Sequence, residues 1–166
     1  MKILHKIKKL SLFSNQGFLT VEVLIAISIV TISILASMTV AQKSIYVSRQ
    51  SLHFSQANFL LEEGAEAVRI LRDNAWTNIS SLTLETYYYP LFSNGTWSLS
   101  TTPNTVGIFT RKMTISSVKR DDTSKDISDT GTVDTGTKLV TITVSWSESG
   151  TTVTKTLSFY ILDIFS

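Results

Sequence analysis

The chain of 166 residues contains no cysteine, so neither a disulfide framework nor a thiolate metal site is available to it. Proline is nearly absent as well: Pro90 and Pro103 are the only two. The first half therefore holds no residue that must break a helix. Acids are missing before Glu22, whereas Lys2, Lys6, Lys8 and Lys9 all fall there. The formal charge of +2 thus belongs to one end, because from Phe18 onward 11 basic residues face 13 acidic ones. That balance gives no support to nucleic-acid binding. No G-x-S-x-G, phosphate-binding glycine loop, dinucleotide fingerprint or H-E-x-x-H occurs. His5 and His53 sit apart, without metal-ligand spacing. No enzymatic activity is expected.

What the chain does have is a long apolar run. Phe18 to Ala41 is 24 residues, enough to span a bilayer as a helix. Glu22 is the single charge inside it, at a cost of roughly 2.5–3.5 kcal/mol for an unpaired group at the centre of a membrane helix. The preceding "MKILHKIKKLSLFSNQG" is short and basic and reads as a cytoplasmic leader. The positive-inside rule then places residues after Ala41 outside.

The helical pattern continues beyond the run. Ala57, Leu61, Gly64, Val68, Leu71 and Ala75 recur at steps of four and three, one face of a helix that Leu60 and Ala67 widen. A single helix is predicted from about Phe18 to about Asp73, spanning roughly 80–85 Å. Gly64 within it has two readings, close approach of the following domain or a tolerated helix glycine.

After Trp76 the composition shifts to Ser, Thr, Asn and Gly, with turn signals at Asn94-Gly95 and Pro103-Asn104. Alternation predicts three strands. Phe109, Met113 and Ile115 share one face of the first; Val140, Ile142, Val144 and Trp146 one face of the second; Val153, Leu157, Phe159 and Ile161 one face of the third. "SESG" joins the last two as a hairpin, and "KRDDTSKDISDTGTVDTGT" reads as a long exposed loop. The aromatic set Trp76, Tyr87, Tyr88, Tyr89 and Trp97 is assigned to core packing between helix and sheet rather than to a binding surface. The fold class is α+β: a long helix, apolar then amphipathic, packed on a small antiparallel sheet. Its parts are a leader over 1–17, an apolar helix over 18–41, an amphipathic helix over 42–75 and a β-rich domain over 76–166.

The basic "KIKKLSLFSNQG", then Phe18, then Glu22 four residues on, all at the head of the apolar run, resembles the type IV pilin and pseudopilin family. The resemblance covers residues 6–42 closely. Where the family usually carries F-T-L-I-E after the glycine, this chain has F-L-T-V-E, with Leu19 and Thr20 exchanged and Val21 in place of isoleucine or leucine. The resemblance implies cleavage after Gly17 by a prepilin peptidase and N-methylation of the Phe18 amine. It implies a single-pass precursor in the inner membrane, then assembly with other pilin subunits into an extracytoplasmic filament by a platform protein and a cytoplasmic ATPase. Glu22 would pair with the Phe18 amine of a neighbour and set axial register. Some pseudopilins hold calcium with aspartates in the β-domain. Here Asp121, Asp122, Asp126, Asp129 and Asp134 do not follow an EF-hand pattern and are read as a solvated loop, with no cofactor. A minor pilin is favoured, ahead of a pseudopilin of type II secretion or DNA uptake. A membrane-anchored β-domain that binds a ligand and never polymerises is the alternative from another class.

Overall fold

The computed structural model describes residues 16–164, with side chains described from Leu19 onward. The leader therefore lies outside the described residues, except for Gln16 and Gly17 in the backbone of the first helix turn. The architecture is α+β. Helix α1 runs unbroken through Gln16–Asn74, in keeping with the absence of proline, and a short turn of helix, α2, follows at Thr77–Ser80. Seven strands come next: β1 Tyr89–Ser93, β2 Thr96–Ser100, β3 Thr105–Val106, β4 Phe109–Arg120, β5 Ile127–Ser128, β6 Thr132–Glu148 and β7 Thr151–Leu162. The chain divides into two compact units between Ser48 and Arg49.

In the second unit α1 packs on the sheet through the face its spacing predicts. Ala57, Leu61, Ala65, Val68 and Leu71 are buried in one cluster with Met113 and Ile115 of β4, Val140, Ile142 and Val144 of β6 and Ile161 of β7. Each large side chain so buried contributes about 1.5–3 kcal/mol. Ala75, expected on this face, is instead exposed, because α1 stops at Asn74 and the chain turns into α2.

The main sheet is antiparallel in the order β3-β4-β6-β7, with β5 added to β4. β4 and β6 pair from Thr110↔Ser145 through Ser117↔Lys138, where the ladder bulges and resumes at Val118↔Asp134. The bulge restores the apolar face: Phe109, Met113 and Ile115 point inward at period two, and Val118 rather than Ser117 continues them. The segment read as one long loop is thereby corrected. β4 continues to Arg120, β6 begins at Thr132 and β5 lies between them. These stretches are mostly polar, with Ile127 and Val133 as isolated apolar residues that set no period, so alternation alone does not mark them as strands. In the second sheet, the β1–β2 hairpin, β2 alternates, with Trp97 and Leu99 packed against the core between Thr and Ser, whereas β1 shows no alternation. Asn94 and Gly95 form its turn with φ of 52° and 78°, and Ser149 and Gly150 join β6 to β7 with φ of 50° and 81°.

Candidate functional site

The first unit is the apolar length of α1. From Leu19 to Val40 every large apolar side chain is 50–67% exposed, so nothing within the described chain covers this surface. The helix contains a stretch long and apolar enough to cross a membrane. Its hydroxyls are satisfied locally. Ser28, Thr31, Ser33 and Ser37 each donate to the carbonyl four residues back at 2.7–2.8 Å, and Thr39 to that of Ala36 at 2.7 Å. This removes the cost of unpaired polar groups in an apolar medium. Glu22 has no such local solution: it is exposed, with no hydrogen bond or ion pair among the described residues. Gly17 and Phe18 lie in the first turn of the same helix, where backbone N–H groups lack intrahelical acceptors. The three residues singled out in the sequence are thus carried on one helix within two turns.

The second unit is organised by buried polar groups that the sequence did not single out. Arg111 of β4 is 3% exposed, with its guanidinium 2.5 Å from a Glu63 carboxylate oxygen and 3.3 Å from the carbonyl of Pro90. It also sits 5.4 Å from the centroid of the Trp97 ring, so one cation ties α1, β1 and β2 to β4. Its Nε has no hydrogen-bond partner among the described residues. The signal was present: Arg111 falls between Phe109 and Met113 on the inward phase of the alternation. Gly64 lies over the same spot. A Cβ there would be 3.1 Å from Ile142 Cγ2 and 3.3 Å from Arg111 Cδ, so of its two readings close approach is the observed one.

His53 is not isolated in space. Its Nδ1 lies 2.5 Å from Glu148 Oε2, an oxygen that also accepts the indole N–H of Trp146 at 3.1 Å. The hydrogen bond with His53 holds the Glu148 carboxyl below the usual glutamate range, against the effect of its own burial. Separation by 95 residues hid this pair from any reading of spacing.

Three aspartates of the polar segment, Asp121, Asp122 and Asp134, accept hydrogen bonds from the protein's own donors. Asp134 accepts from Arg120 Nε at 2.6 Å, from the Thr137 hydroxyl at 2.7 Å and from the Gly136 N–H at 2.9 Å. The Arg120 contact, then Thr137, lowers its pKa to about 2. Asp121 accepts the N–H groups of Thr123 and Ser124, each at 2.8 Å, and is likewise shifted down. No group of three metal-ligating side chains occurs among the described residues. Of the aromatic set, Tyr88 and Tyr89 are buried and Trp76 and Trp97 pack against the core, as expected. Tyr87 departs from it: the ring is 53% exposed, with Lys112 Nζ 3.6 Å from its centroid.

The fold and this site define an α+β protein whose long helix carries an uncovered apolar surface and, at its head, a carboxylate with no partner among the described residues. Comparison of the chain with protein-family models, with curated proteins and with solved structures finds no match.

Proposed function

We propose that the protein is a subunit of a type IV pilus or related filament, a minor pilin, processed after Gly17 and assembled through α1. The observation that carries the reading is Glu22, a charge without a partner among the described residues, at the head of an uncovered apolar helix and four residues after Phe18. Cleavage between Gly17 and Phe18 would create the missing cation, the α-amino group of Phe18. In a parallel array of such helices the amine of one subunit meets the Glu22 carboxylate of the next. Mutual pairing removes the cost of a lone charge in low dielectric, and a polar contact at one position fixes register as it does in coiled coils. The precursor would sit in the inner membrane through the apolar part of α1 and meet prepilin peptidase there, before passing to the filament outside. The β-domain would face outward and carry any contact function.

The test is the mass and N-terminal residue of the protein recovered from membranes. N-methylated phenylalanine at position 18 is the expected result. An intact leader, or a start at Gln42, would sink the reading and leave a membrane-anchored or secreted β-domain.

A further inference from the structure

Each edge of a sheet presents backbone N–H and C=O groups that must find partners or remain in water. The main sheet treats its two edges differently. The outer edge of β4 is covered at both ends and in its middle. β3 pairs with it at Phe109 and Thr110, and β5 at Lys119 and Arg120. Between them, Tyr88 and Met113 exchange two backbone bonds of 2.9 and 2.7 Å, and the Glu85 N–H donates to the Ile115 carbonyl at 2.9 Å. The outer edge of β7 has none of this. All 12 of its residues pair with β6 without a bulge, and among the described residues no hydrogen bond reaches its other side. No other strand lies beside it. β7 also contains no proline or glycine, and Lys155 is its one charged residue.

Lys155 shares the helix-facing side of β7 with Val153, Leu157 and Phe159 at period two. Its Nζ rests 4.9 Å from the centroid of Phe54, and it has no carboxylate within ion-pair distance among the described residues. Nearby, Arg69 covers the Phe159 ring at 5.4 Å. Arg69 is itself paired with Glu66 at 3.3 Å, so Lys155 is the cation of this rim without a carboxylate partner among the described residues.

We propose that the outer edge of β7 is a docking edge for an extended segment of a different polypeptide. The segment adds as the next strand and places an Asp or Glu on its helix-facing side opposite Lys155. Main-chain bonds supply the affinity, and the carboxylate supplies register and selectivity. A second copy of β7 is disfavoured as the occupant, because antiparallel pairing would set two Lys155 ammonium groups near one another on one face.

The test uses the full chain in detergent micelles and two labelled, end-blocked decapeptides of alternating Thr and Val. They differ only in whether one central Val is replaced by Glu or by Lys. Fluorescence anisotropy is expected to show the Glu peptide binding about three- to tenfold more tightly than the Lys peptide, as opposed and like charges in cross-strand positions require. Lys155→Glu should reverse the order and Lys155→Arg should keep it; the side chain is exposed, so both variants retain the fold. Binding of neither peptide, or an order indifferent to residue 155, overturns the proposal. So does an amine-specific cross-link between Lys155 residues of two copies, which would assign the edge to self-association.

Discussion

At the level of single residues, Gly64 is where sequence propensity and packing disagree. On an exposed helix Gly→Ala stabilises by about 1 kcal/mol. Here the added methyl meets Ile142, which is fully buried, and the Arg111 side chain, pinned by Glu63 and Pro90. Neither neighbour can retreat freely, so overpacking wins. Gly64→Ala is expected to lower stability by about 1 kcal/mol and Gly64→Val by about 2–3 kcal/mol, read from denaturant melts of the chain in micelles. Gly64→Ala more stable than wild type would show that the contact yields. Asp134 gives a second residue-scale expectation. Its pKa is lowered to about 2, so its stabilising contribution is present above the ordinary aspartate pKa and is lost as pH falls from about 4 towards 2. With the side chain 23% exposed, solvent screening limits the effect to about 1–2 kcal/mol. The Asp134→Asn variant should be less stable at neutral pH, and its melting temperature should fall less steeply than that of wild type between pH 4 and pH 2.

Among the elements, the hairpin turn from β6 to β7 isolates backbone conformation from packing. Gly150 has φ +81°, and a Cβ there would meet nothing within 4 Å. Gly150→Ala should therefore cost about 1 kcal/mol through the left-handed conformation alone. Ser149→Asn, which suits the preceding positive φ of 50°, should stabilise by a few tenths of a kcal/mol. Paired thermal melts decide both, and equal melting temperatures would remove the turn as a determinant. This turn was legible because "SESG" interrupts two runs with clear apolar alternation. The helix was legible for the same reason, its period of 3.6 being sustained from Ala57 to Leu71. β5, the far end of β4 and the start of β6 were not, since those stretches are mostly polar and the isolated Ile127 and Val133 set no period. β1 shows no alternation, and that of β2 is confined to Trp97 and Leu99. The ion pair Glu63–Arg111 and the hydrogen bond between His53 and Glu148 join residues 48 and 95 positions apart, separations at which spacing carries no information.

For the molecule as a whole, the decisive property is a surface that the chain itself leaves uncovered. A soluble fold buries large apolar side chains, yet those from Leu19 to Val40 are all at least half exposed. A bilayer would cover them, and so would neighbouring helices of the same kind, but the two solvents treat Glu22 differently. In lipid the carboxylate is a burden of roughly 2.5–3.5 kcal/mol that no local donor relieves. In a parallel array of processed chains it would meet the amine of a neighbour and become the contact that sets register. Glu22→Ala therefore separates the two destinations. If the protein is a filament subunit, the variant should insert into membranes at least as well as wild type while its recovery in sheared filaments falls at least about tenfold, the loss expected when more than about 1.4 kcal/mol of pairing is removed per subunit. Glu22→Asp should recover part of the incorporation, since it keeps the charge with a shorter reach. If the chain is a solitary anchor, Glu22→Ala should insert as well as wild type or better, and no filament fraction should contain any of the three.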